Sequence, residues 1–239
     1  MLGFALHQDK IEFARAEVDA VVGVSGRLVN GMYIVDVGYD SRYNCLAFTK
    51  AIYRIGEKRK KIIDLKNQFE RRRAHLLAAG HPAMTHPRLA RAMVNLSGAR
   101  EILDPFCGAG GILIEAGLCG LKTTGFDIDE KMLDRSRRNL DSFGLKATLA
   151  RKDATTFSGR SEAVVTDLPF GLSTKLTADA VDLYLSFLKN LKRNKIKKAV
   201  IGFPDFVDYK MLVKKAGLKI QREFTYYLHQ SLSKKIVVI

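Results

Sequence analysis

From His81 to Ile239, short apolar runs alternate with stretches whose apolar residues recur at helical spacing, and this alternation constrains the fold more than any other feature of the chain. "THPRLARAMVNLSG" places Leu89, Ala92, Met93 and Leu96 on one helix face and stops at Gly98. The pattern then predicts strand "EILDPF", a helix from Gly111 to Cys119, strand "KTTGFDI", a helix from Glu130 to Phe143, and strands "KATLARKDA" and "AVVTDLPF". A helix from Ala178 to Leu191, strand "KKAVIGF", a helix from Phe206 to Ala216 and two closing strands, Lys219 to Leu228 and Ser231 to Ile239, complete it. Such alternation predicts an α/β fold: a seven-stranded, mostly parallel sheet covered on both faces.

Residues 1–62 read as a small N-terminal α/β domain, residues 63–80 as a basic linker and residues 81–239 as the main domain. Phe4 to Leu6 predicts a strand, and Phe13, Ala16, Glu17 and Ala20 to Val22 an amphipathic helix ended near Gly23. Arg27 to Val37 predicts a hairpin turning at Asn30-Gly31, since Asn-Gly suits a type I′ turn. Leu46 to Ile55 predicts a second helix. No apolar run reaches the ~18 residues that cross a bilayer, and Leu2 to Leu6 is too short for a signal-peptide core, so a cytoplasmic location without membrane contact is expected. Cys45, Cys107 and Cys119 lack paired spacing, and neither a disulfide framework nor a metal site is expected. His75, His81 and His86 fit neither one helix face nor a zincin motif.

The net charge of +15 is clustered. Between Lys58 and Arg73 lie Lys58, Arg59, Lys60, Lys61, Lys66, Arg71, Arg72 and Arg73 against only Asp64 and Glu70, and the run from Lys189 to Lys198 holds no acid. Two readings are open: solvated faces, or patches that attract a nucleic-acid backbone and release its counterions.

"ILDPFCGAGG" puts a glycine-rich turn after a strand and at the start of a helix, where the backbone approaches a ligand closely and free N–H groups point at it. The spacing differs from G-x-G-x-x-G, and Asp104 precedes the glycines, facing a positive ligand group better than a pyrophosphate. In "GFDID", Asp127 falls 19 residues after Gly108, the distance at which a doubly wound fold sets an acid on ribose hydroxyls. Asp129 suits the N-cap of the next helix. Asp153, in "RKDATTF", either accepts from an adenine amine or caps its own loop. Asp167 is the fourth acid to follow an apolar strand. Ligands of open parallel sheets bind outside the carboxyl ends of strands, so the four acids form one site, suited to a cationic nucleoside without phosphates such as S-adenosylmethionine. In "TDLPFG", Asp167 and the carbonyl of Leu168 would hold an exocyclic amine beside the stiffening Pro169, with Phe170 stacked on the base.

These motifs, "DPFCGAGGILIEAG", "GFDID" and "DLPFG", resemble those of the class I, S-adenosylmethionine-dependent amino-methyltransferases, whose signature is Asp/Asn-Pro-Pro-Tyr/Phe. With "HPAMTHPRLARAMVNLSG" ahead of the glycine turn, they are most similar to the archaeal and eukaryotic tRNA guanine-N2 methyltransferases that modify guanosine 10, over about residues 64 to 239. The resemblance implies a Rossmann-like class I methyltransferase fold with S-adenosylmethionine as cofactor. It implies that Asp104, Gly108 and Gly110 cradle the methionine part, Asp127 the ribose and Asp153 the adenine, with Cys107, Ile128 and Ala154 also at the cofactor and Met84 and Pro87 lining the pocket. Asp167, Leu168, Pro169 and Phe170 would receive the target guanine of a tRNA or other structured RNA. Lys58, Arg59, Lys60, Lys61, Arg71, Arg72 and Arg73 would grip that RNA. A small zinc-binding activator protein is a partner of some members. Leu168 stands where the signature has its first proline. The N-terminal residues resemble a ferredoxin-like remnant, and too little chain separates Arg54 from "KIIDLKNQ" for a full THUMP domain. The alternatives are an adenine-N6 or other amino-methyltransferase acting on DNA or RNA, and a silent RNA-binding subunit that keeps a cofactor pocket.

Overall fold

In the computed structural model, which describes residues 1–65, 69–169, 178–229 and 232–239, local sequence signals set the ends of most elements. Strand β1 (Leu2–Leu6) leads to helix α1 (Ile11–Val22), which ends at Gly23 with φ of 87°. A left-handed residue after the last turn is where glycine's missing Cβ is needed. Strands β2 (Arg27–Val29) and β3 (Met32–Val35) form the expected hairpin, with positive φ at both Asn30 (46°) and Gly31 (75°). Strands β4 (Thr49–Arg54) and β5 (Lys60–Asp64) complete an antiparallel sheet of order β2-β3-β1-β4-β5.

The helix expected over Leu46 to Ile55 is not formed: residues 49–54 are strand β4, paired with β1 on one side and β5 on the other. Thr49, Ala51 and Ile52 are buried while Lys50 and Arg54 are exposed. Pairing on both edges satisfies this backbone, and that tertiary gain overrides a weak local helical spacing.

Helix α2 (Pro87–Ser97) carries proline at its first position and ends at Gly98, again left-handed. After it come β6 (Glu101–Asp104), α3 (Gly111–Leu118), β7 (Lys122–Asp127), α4 (Glu130–Ser142), β8 (Thr148–Arg151), β9 (Ala163–Asp167), α5 (Ala178–Arg193), β10 (Ala199–Pro204), α6 (Tyr209–Lys215), β11 (Arg222–His229) and β12 (Leu232–Val238). They form the expected seven-stranded sheet, of order β11-β12-β10-β9-β6-β7-β8. The pairs from β10 through β8 are parallel, and β12 is antiparallel to both β10 and β11. The strand order reverses around β6, so the carboxyl ends of β6 and β9 border the crevice where such sheets bind ligands.

One hydrophobic core joins α1 and the first sheet to α2 and to Ile102, Val165, Val200, Ile236 and Val238 of the second. Phe13 of α1 stacks on Phe224 of β11 at 4.8 Å. Buried Glu17 accepts from the backbone N–H groups of Ala47 (2.6 Å) and Phe48 (2.9 Å) and from the Asn95 amide (2.6 Å), and burial holds its carboxyl above the usual range. A second core lies on the opposite face, under α5 and α6. Among the described residues no helix is long and apolar enough to cross a membrane.

Candidate functional site

The carboxyl edge of the parallel strands carries the four acids in a row: Asp104 ends β6, Asp127 ends β7, Asp153 follows β8 and Asp167 ends β9. All four line one cavity of about 800 Å³, together with Met84, Cys107, Gly108, Ile128, Ala154, Leu168 and Pro169. Among the described residues no group of His, Cys, Asp or Glu converges as a metal site.

The glycine turn is shaped from both sides. Gly108 has φ of 50°, and a Cβ there would meet nothing within 4 Å, so open space lies over it. Its N–H donates to Oδ2 of Asp127 (2.8 Å), while the N–H of Asp129 donates to Oδ1 (2.9 Å). Asp129 itself caps α4, accepting from the N–H of Lys131 (2.9 Å). Gly110 lies outside the cavity lining: it caps α3 with φ of 87°, and a Cβ there would come within 2.5 Å of Ser136 Oγ. Cys107 is buried, and burial beside Asp104 and Asp127 drives its thiol well up, so it acts as a small packing group.

Asp104 is buried, and its Oδ1 accepts from Thr166 Oγ1 (2.6 Å) and from the N–H of Phe106 (3.2 Å). Burial, reinforced by Asp167 and Asp127, nevertheless pushes its carboxyl up to about 7. An acid in this condition gains most from a cation that enters the cavity. Asp153 is exposed, and its Oδ1 accepts from the N–H (2.7 Å) and hydroxyl (2.8 Å) of Thr155, so it closes its own turn while facing the cavity. Ile128 is 65% exposed on the rim, an apolar face that a planar ring could cover.

Asp167 is held from one side. Its Oδ2 accepts from the hydroxyl of Thr85 and from the ammonium of Lys234, which is only 3% exposed. Its Oδ1 is buried without a hydrogen-bond partner among the described residues, and a Cβ on Gly202 would come within 2.5 Å of it. Leu168 is buried, and its N–H donates to the carbonyl of Gly202 (3.0 Å), extending the β9–β10 ladder by a bond that a proline could not make. The carbonyl of Pro169 accepts from the Tyr184 hydroxyl. Phe170 lies outside the described residues.

Other sequence-predicted residues are dispersed. Pro87 opens α2 and is buried away from the cavity lining. Lys58, Arg59, Lys60 and Lys61 are exposed along β5 and the turn before it, with the Arg59 guanidinium 4.8 Å over the Tyr53 ring. Arg71 is exposed, and Arg73 pairs with Glu70 (2.7 Å) at the surface. Arg72 turns inward to buried Glu115 (2.6 Å), which also meets Arg91 (2.8 Å). Sequence reasoning missed Thr85 and Lys234. The signal for Lys234 was its phase: it shares a strand face with the core residues Ile236 and Val238.

A reversed strand order, a closing antiparallel strand and an acid-lined cavity at the carboxyl edge define the Rossmann-like class I methyltransferase fold. The tRNA (uracil-54, C5)-methyltransferase of Pyrococcus abyssi, solved in complex with S-adenosyl-L-homocysteine, shares it with a TM-score of 0.52 at 21% identity, over 65% of this chain and 40% of that one. Residues 75–234 match the model of the RMKL-like, methyltransferase domain family, and the chain belongs to that family. Over 179 residues it is 40% identical to a tRNA (guanine(10)-N2)-dimethyltransferase of Pyrococcus abyssi, covering 72% of this chain and 54% of that protein. The same-named protein of Methanothermobacter thermautotrophicus is 37% identical over 183 residues, covering 73% and 54%. The chain thus matches about half the length of these two relatives.

Proposed function

We propose that this chain is an S-adenosylmethionine-dependent methyltransferase that modifies the exocyclic N2 of a guanosine in tRNA, at position 10. The observation that carries the reading is a single cavity in which a glycine turn and three strand-end acids adjoin a fourth carboxylate, Asp167, with one oxygen unpaired among the described residues. The residues present fit the cofactor: buried Asp104, driven up by burial, suits the methionine ammonium, and the open space over Gly108 admits the chain beside it. Asp127 accepts from ribose hydroxyls, while Asp153, Ala154 and Ile128 border the adenine. When bound, the cofactor supplies a methyl group on a sulfonium. Oδ1 of Asp167 accepts from the target amine and, with Leu168 and Pro169, fixes its nitrogen toward that methyl, so that catalysis comes chiefly from proximity and orientation. Phe170 is assigned to stacking on the base. Exposed Lys58, Arg59, Lys60, Lys61, Arg71 and Arg73 receive the RNA backbone.

The names of the relatives support guanine N2 over adenine N6, and they extend the reading to dimethylation. Residues 1–62, 63–80 and 81–239 are assigned as N-terminal domain, connection and methyltransferase domain. A small zinc-binding activator protein is a further candidate partner, and the cytoplasm the candidate location.

The test is transfer of tritiated methyl from S-adenosylmethionine to unmodified tRNA transcripts, followed by nucleoside analysis. Labelled N2-methylguanosine or N2,N2-dimethylguanosine is expected. Label in N6-methyladenosine instead would move the reading to an adenine enzyme, and tight cofactor binding without transfer to any nucleic acid would move it to a silent binding subunit.

A further inference from the structure

We propose that Lys234 is a positioning residue that determines which oxygen of Asp167 meets the substrate's amine; the inference rests on the reading of Asp167 given above. Lys234 lies on β12, separated from β9 by β10. Its side chain reaches Asp167 beside Gly202, the residue of β10 paired with Asp167, where any side chain would collide with the carboxylate. A buried lysine–aspartate pair is a poor stability device, because desolvating both charges cancels much of their attraction and an apolar pair of similar size does as well or better. Its value here is geometric. The Lys234 ammonium and the Thr85 hydroxyl both take Oδ2, and two fixed donors on one oxygen keep the carboxylate from turning. Oδ1, buried against Gly202 and without a hydrogen-bond partner among the described residues, is left as the acceptor for an amine that reaches it. An acceptor fixed in this way selects a group with N–H donors, the exocyclic amine of a base, and fixes the direction from which its nitrogen meets the methyl donor. The lysine acts through Asp167 and need not touch the substrate.

The experiment compares wild type, Lys234→Met and Lys234→Arg as full chains. Steady-state transfer to tRNA transcripts, calorimetric binding of S-adenosylhomocysteine, thermal unfolding, and crystal structures with S-adenosylhomocysteine are read together. In Lys234→Met, kcat should fall roughly 100-fold, with KM for tRNA and affinity for S-adenosylhomocysteine within about threefold of wild type. Lys234→Arg, which keeps charged donors, should recover about a tenth or more of wild-type kcat. In crystals, the Asp167 carboxylate should turn in Lys234→Met. A kcat within about threefold of wild type, or an Asp167 carboxylate that does not move, overturns the inference. So does a loss of cofactor affinity in step with kcat, the mark of a merely structural lysine. If Lys234→Met does not fold, Lys234→Gln takes its place with a neutral amide in place of the ammonium, and loss of kcat with Asp167 unmoved overturns the inference. Wild type inactive on every nucleic acid would sink the functional reading instead, and the crystallographic comparison would still decide the role of Lys234.

Discussion

Acidification should loosen the cofactor through Asp104. This carboxyl is buried at the end of β6 between Asp127 and Asp167 and is pushed up to about 7. In the proposed complex it faces the methionine ammonium, which only the ionised form holds strongly. With the acid at about 7, roughly nine molecules in ten are ionised at pH 8 and about one in a hundred at pH 5. Affinity for S-adenosylhomocysteine should therefore fall nearly 100-fold across that interval, about 2.7 kcal/mol, with a slope near tenfold per pH unit at its acid end. The assay is calorimetry at each pH in two buffers of different ionisation enthalpy, which also counts protons. Near pH 6, binding should release close to one proton, roughly 0.9 on the same arithmetic. Asp104→Asn keeps the size of the group and removes the titration, so its affinity should already be low at pH 8 and flat down to pH 5. Wild-type affinity that changes less than about threefold, with no proton released, would refute the placement of Asp104 against the ammonium.

Without ligand the same acid acts in the opposite sense. Its folded value lies above the ordinary 3.8, so its contribution to stability is full below pH 4 and is lost as pH rises through 7; relative to Asp104→Asn, calorimetric melts should show wild type losing on the order of 3 kcal/mol between pH 5 and 8. Glu17→Ala strands the N–H groups of Ala47 and Phe48 and the Asn95 amide, and urea unfolding should register a loss of about 3 kcal/mol or more. Asp127→Ala removes the acceptor that bridges Gly108 and Asp129, and should weaken S-adenosylhomocysteine binding by about 100-fold; undiminished affinity would remove it from the ribose site. Reversing Lys58, Lys60, Lys61 and Arg71 to Glu should weaken tRNA binding and flatten its dependence on salt, whereas an unaltered slope would return these side chains to a solvated surface.

What was legible in the sequence was local. Gly23, Asn30-Gly31 and Gly98 announce their turns because positive φ is a property of a few residues of chain. Asp127 could be placed against the glycine turn because a strand-helix-strand unit fixes how far apart its two loops lie, and Gly108 does donate to it. What was not legible depends on partners far along the chain. Strand β4 is a strand because β1 and β5 flank it. Arg72 turns inward because Glu115, on α3, waits there. Thr85 and Lys234 converge on Asp167 from separations of 82 and 67 residues, brought together only by the strand order.

Strand β12 follows every other described strand, yet it lies inside the sheet, between β10 and β11. During synthesis from the N-terminus, β10 therefore waits with one edge unpaired until Leu232–Val238 leaves the ribosome, the stretch of time in which an open strand edge is most exposed to wrong partners. Asp104, Asp127 and the glycine turn are all made more than a hundred residues earlier. The pocket proposed for the methyl donor can thus be assembled on the nascent chain before Asp167, the carboxylate proposed to orient the acceptor amine, has its lysine, so that on this reading the capacity to bind precedes the capacity to react.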